Sequence, residues 1–139
     1  RLAYAKGALT FALASGKTNV SNSVDITSTN FGASYDLGVA KLMGAVLEDK
    51  KTGATTQKGS VVGLTAPLGA GTVRFAVSET KAGAAKTAKT AIGYVYGLSK
   101  RTDLYTTYAN TKHSGGNSDA LAGVNGKVNA LEAGVKHSF

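Results

Sequence analysis

The chain has no cysteine, no tryptophan and a single proline, Pro67. Without cysteine there is neither a disulfide scaffold nor a thiolate zinc site. Acidic residues are scarce: eight stand against sixteen lysines and arginines, giving a formal net charge of +8 over 139 residues. Long apolar runs are missing as well. The longest stretch without a charge is 59–73, and it carries Pro67 and four glycines. A helix needs about 20 apolar residues to cross a bilayer, so no helix here does so. The segment Arg1–Gly7 lacks the apolar core of a secretory leader. The expectation is that a leader was removed or that the chain begins inside something larger.

An isoelectric point near 9.8 suggests nucleic acid first. The cations, however, are scattered singly. The pair Lys50-Lys51 follows Glu48-Asp49, which nearly cancels it. No recognition-helix period and no base-stacking platform is present. The alternative use of scattered cations is to line a cavity.

What the chain has is a period of two. Leu9, Phe11 and Leu13 alternate with Thr10, Ala12 and Ala14; Phe31, Ala33 and Tyr35 with Gly32, Ser34 and Asp36; Val73, Phe75 and Val77 with Arg74, Ala76 and Ser78. The same pattern recurs at Val62–Leu68, Ile92–Leu98 and Leu131–Val135, and more noisily at Val39–Glu48 and Asp103–Thr111. Alternation of this kind predicts strands. The count is eight strands of about ten residues, the length that crosses a bilayer at a tilt, plus a stub at residues 1–5. The connections read as alternately short and long. Tight turns are predicted at Lys6-Gly7, Asp36–Gly38, Pro67–Gly71 and Ser99–Thr102, and polar loops at 17–27, 49–57, 81–87 and 112–128. In an up-and-down meander that puts all the long loops at one end, as in outer-membrane barrels.

Alternation does not say which face meets which solvent. In a soluble sandwich the bulky face points inward; in a membrane barrel it points to lipid and the small polar face lines a wet lumen. Strand length, the Gly, Ala, Ser and Thr of the second face, and tyrosines near strand ends or on the apolar face (Tyr4, Tyr35, Tyr94, Tyr96 and Tyr108) favour the barrel.

Four segments carry a family resemblance. The terminal strand 129–139 alternates and ends on Phe139; the stretch from Tyr96 to Tyr108 holds Leu98-Ser99-Lys100-Arg101-Thr102; and Tyr4–Leu9 and Phe31–Tyr35 look like strand ends. Together they resemble the C-terminal half of Gram-negative trimeric general porins, especially the beta-proteobacterial type. The resemblance implies a transmembrane antiparallel β-barrel of 16 strands, of which this chain is one segment. The remaining N-terminal strands would then be cleaved, disordered or in another chain. It also implies a homotrimer in outer-membrane lipid, Phe139 as part of the signal read by the barrel-assembly machinery, and Lys100-Arg101 as periplasmic surface charges. The family's long third loop, which forms the constriction, is not present.

In such a channel the chemistry is electrostatic. Alternation places Lys41, Arg74 and Lys136 toward the lumen, with Arg1, and also Glu132 and Asp36. The basic excess predicts passage of small anionic solutes. Arg74 carries the most weight, because a lipid-facing arginine there would cost about 2–4 kcal/mol. Catalysis is not expected. His113 and His137 have no zinc spacing, no cofactor motif is complete, and Gly123–Lys127 fails the phosphate-loop pattern because Val128 follows Lys127. Ala82–Ala91 has helix propensity, but its setting between strands favours a loop running into a strand. Two other readings remain open. One is a small eight-stranded outer-membrane barrel with a structural or adhesion role. The other is a soluble basic sandwich.

Overall fold

The computed structural model describes residues 1–21, 24–115 and 126–139. Nine strands form one antiparallel sheet in chain order: β1 (Leu2–Lys6), β2 (Leu9–Ser21), β3 (Val24–Asp36), β4 (Lys41–Lys51), β5 (Gln57–Leu68), β6 (Gly71–Ala82), β7 (Ala85–Ser99), β8 (Thr102–Ser114) and β9 (Gly126–His137). Every strand pairs only with its neighbours in sequence. Among the described residues no second layer covers the sheet, which is not the arrangement of a sandwich. Nor do β1 and β9 pair with each other, so these nine strands are not a small closed barrel.

Two faces follow from the register. Leu42, Leu64, Phe75, Ile92 and Leu131 stand in one cross-strand row of the apolar face, with Tyr35 and Tyr108 in the same row. One residue along each strand, the row of the other face runs Ser34, Met43, Gly63, Ala76, Ala91 and Ala109. A single sheet has no interior of its own. Only Ala109 and His113 are buried among the described residues, while Leu131 is 77% exposed and Val135 63%. Bulky apolar side chains open on one face of a single layer require an apolar surrounding.

The predicted turns at Lys6-Gly7, Asp36–Gly38, Pro67–Gly71 and Ser99–Thr102 are where the chain reverses, at one end of the sheet. The predicted long loops are mostly strand. β2 and β3 run through 17–21 and 24–27, β4 reaches Lys51, and β6 and β7 leave only Gly83 and Ala84 between them. Gly83, at φ 61°, supplies the left-handed turn residue that lets the pairing of Lys81 with Lys86 continue into it. The strict alternation of short and long connections therefore fails. Of the loop predicted at 49–57, residues 52–56 connect β4 to β5; the loop predicted at 112–128 is strand up to Ser114 and again from Gly126, and residues 116–125 lie outside the described ones. The glycine-rich stretch from Gly123 lies largely there too. Ala82–Ala91 is turn and strand, not helix.

Gly71 opens β6. A methyl group on it would stand 2.4 Å from the Val95 carbonyl oxygen and 2.6 Å from the Tyr94 hydroxyl. That hydroxyl donates to the Leu68 carbonyl at 2.9 Å and ties the hairpin base. Backbone cannot yield as a side chain can. Gly71→Ala is expected to lower stability by about 1–3 kcal/mol, read as an earlier thermal unfolding transition of the full-length barrel in detergent; an unchanged transition would show that the strand end gives way freely.

Candidate functional site

The small-residue face carries the charges that the alternation assigned to it. One cross-strand row runs Asp36, Lys41, Thr65, Arg74, Gly93, Thr107 and Glu132. Adjacent strands lie about 4.8 Å apart. Lys41 and Arg74, separated only by Thr65, are therefore roughly 10 Å apart along the sheet, and Arg74 and Glu132 roughly 14 Å. Screening falls off over roughly 10 Å at 0.1 M salt. The two cations thus reinforce each other, Asp36 directly opposite Lys41 offsets part of the charge, and Glu132 acts on Arg74 only weakly.

Arg74 is the fourth residue of β6, nearer the short-turn end than the strand centre. It borders a hollow of about 470 Å³ with Thr65, Ala76, Ala91, Gly93 and Thr107. Met43 and Tyr105 line it as well. Arg1 borders a second hollow, of about 690 Å³, with Ala14, Asn30 and Asp49. Lys136 stands on the same face but directly opposite Asp103, a partner the sequence did not single out. Glu132 accepts a hydrogen bond from the Tyr105 hydroxyl at 2.9 Å. The Tyr105 ring lies over Gly134, where any Cβ would meet it at 2.6 Å, and this fixes the carboxylate against the wall.

Three further charges on this face went unread. Lys89 pairs with Ser78, Lys51 with Ile26, and Asp49 with Ser28. The signal was the same period of two, continued from Ala91 and from Met43 into segments that looked like loops. The face then holds six cations (Arg1, Lys41, Lys51, Arg74, Lys89, Lys136) against four carboxylates (Asp36, Asp49, Asp103, Glu132) among the described residues.

His113 falls within the loop predicted at 112–128, and the structure corrects that placement. It is 3% exposed, lies within β8, and its Nδ1 is 3.0 Å from the Thr87 hydroxyl of the neighbouring strand. His137 is on the apolar face; its Nδ1 is 2.9 Å from the Thr102 hydroxyl. Phe139, fully exposed, stacks edge-on to it at 4.9 Å.

This arrangement has close relatives. Residues 1–117 match the Gram-negative porin family. Outer membrane porin protein 32 of Delftia acidovorans is 33% identical over 157 aligned positions, which cover 99% of this chain and 45% of that protein. The solved anion-selective porin from Comamonas acidovorans superposes with a TM-score of 0.81 at 30% identity, covering 99% of this chain and 47% of that one. The chain thus spans about half the length of the relatives it matches.

Proposed function

The chain belongs to the Gram-negative porin family, and on that premise we propose that it forms part of the wall of a passive outer-membrane channel that favours small anions. The sheet is a segment of a transmembrane β-barrel, with its apolar face toward lipid. The small-residue face then borders the water column. The observation that supports the anion preference is the excess of six cations over four carboxylates on the small-residue face among the described residues, with Lys41 and Arg74 about 10 Å apart in one row. Arg1, Lys89 and Lys136 add to the same sign, and Glu132 and Asp36 oppose it. The remaining barrel strands come from the rest of the protein, to a total of 16, and the barrels associate as a homotrimer. Both of these rest on the resemblance of the terminal strand and of the Ser99–Thr102 turn. The relatives are porins, and the charged face suits permeation.

The test is the reversal potential of the full-length protein in a planar bilayer under a potassium chloride gradient. A potential of the sign set by chloride supports the reading. A cation-sign potential, or no steps of conductance, overturns it.

A further inference from the structure

The small-residue face is not uniformly small. From β4 to β8 it carries six large apolar or aromatic residues. Met43, Val61, Val95 and Tyr105 border the hollow beside Arg74, and only Leu47 and Pro67 do not. Charge steering alone would ask for the guanidinium and for water. Large apolar side chains gathered on a wetted wall gain nothing until something apolar covers them.

The floor of the hollow is low. Gly63, Ala76 and Ala91 form one cross-strand row, next to the row that holds Arg74 and Gly93. Met43 stands opposite Gly63, and a methyl group on Gly63 would be 4.0 Å from the Met43 Cε. The thioether therefore leans over the row from β4. Val61 closes the floor two residues beyond Gly63. The Tyr105 ring is held over Gly134, so it bounds the hollow without filling it. The polar groups gather on the other side. Thr65 stands directly beside Arg74, and the Thr107 hydroxyl would be 3.0 Å from a methyl group on Gly93. An apolar floor with a few polar groups at one margin is the usual make-up of a small-molecule site, and 470 Å³ falls within the usual range of about 300–1,000 Å³. The floor row spans about 10 Å, and it lies about 7 Å from the Arg74 row. Those lengths suit one ring on a short carboxylate arm.

We propose that this hollow binds organic anions with a flat apolar body, the arylalkanoate class. The Arg74 guanidinium forks onto the carboxylate, and the ring lies on Gly63, Ala76 and Ala91 beneath Met43. This rests on the channel reading above and deepens it. Compact anions meet the same charge but leave the apolar floor wet, so they pass without being held.

The test uses the full-length protein in planar bilayers in potassium chloride, with phenylacetate as the probe. Phenylacetate should lower the chloride conductance in a saturating manner. Acetate at the same concentration, with the same charge and no ring, should not. Uncharged 2-phenylethanol should block less than phenylacetate. Half-burial of a phenyl ring corresponds to about fivefold in affinity. Ala76→Leu or Ala91→Leu puts a side chain on the floor without changing any charge, and should raise the half-blocking phenylacetate concentration by that factor. Equal block by acetate and phenylacetate overturns the proposal, and this comparison needs no variant to fold. An unchanged half-blocking concentration in conducting Ala76→Leu channels overturns it too. Anion-selective conductance without phenylacetate block sinks this inference alone. A cation-sign reversal potential sinks the channel reading instead.

Discussion

Replacing Arg74 by glutamate should cut the anion-to-cation permeability ratio by about threefold at 0.1 M salt and about sevenfold at 0.01 M. The reasoning is Coulombic. The change moves two unit charges, and at roughly 10 Å in water each is worth about 0.4 kcal/mol before screening. Screening over roughly 10 Å at 0.1 M leaves about a third of that, and over roughly 30 Å at 0.01 M about three quarters. Anions and cations feel opposite signs, so the ratio changes by the square of either factor. Arg74→Gln should give the square root of the effect. Reversal potentials at both salt concentrations separate this from distortion of the wall. A loss that does not grow as salt falls would mean that the guanidinium acts through packing, and the anion preference would have to come from other strands.

A lysine at Phe75, one residue further along β6, should have a different consequence. Phe75 stands between Leu64 and Ile92 on the apolar face. A lysine near the bilayer midplane on that face costs about 2–4 kcal/mol, a large part of a stability of about 5–15 kcal/mol. Phe75→Lys should therefore lower the denaturant midpoint of the full-length barrel sharply. Thr107→Lys is the contrast. It stands opposite Glu132 on the other face, where water is available, and should fold with a changed reversal potential. If the two variants were equally harmful, the assignment of lipid and water to the two faces would be wrong.

The sequence disclosed the belt and hid the ends, for a physical reason. Within the apolar band the two faces meet different solvents, so side chains must alternate, and Phe75 beside Arg74 could be read directly. Beyond the band both faces meet water. The backbone still pairs, but nothing forces Lys17-Thr18-Asn19 or Lys86–Lys89 to alternate, and polar strand looks like loop. Cross-strand partners were hidden for another reason. Register is set by turn length and type, and the two-residue turn at Gly83-Ala84 fixes Lys81 against Lys86 only once it is known to be that short. For the same reason Asp103 opposite Lys136, and His113 against Thr87, had no signal in the composition of their own strands. What the faces are for came from the resemblance at Ser99–Thr102 and the terminus.

The two unpaired edges have a consequence for how such a wall reaches the membrane. β9 has 12 residues, and alternate residues of an edge strand aim both the amide and the carbonyl outward, about a dozen polar groups in all. Each would cost several kcal/mol in hydrocarbon. That sum, tens of kcal/mol, exceeds the whole stability of an ordinary domain. Hairpins joined only to their neighbours need no distant partner to pair, but the sheet cannot sink into lipid with its edges bare. Closure and insertion are therefore one thermodynamic event: whatever seals β1 and β9 also licenses the crossing of the bilayer.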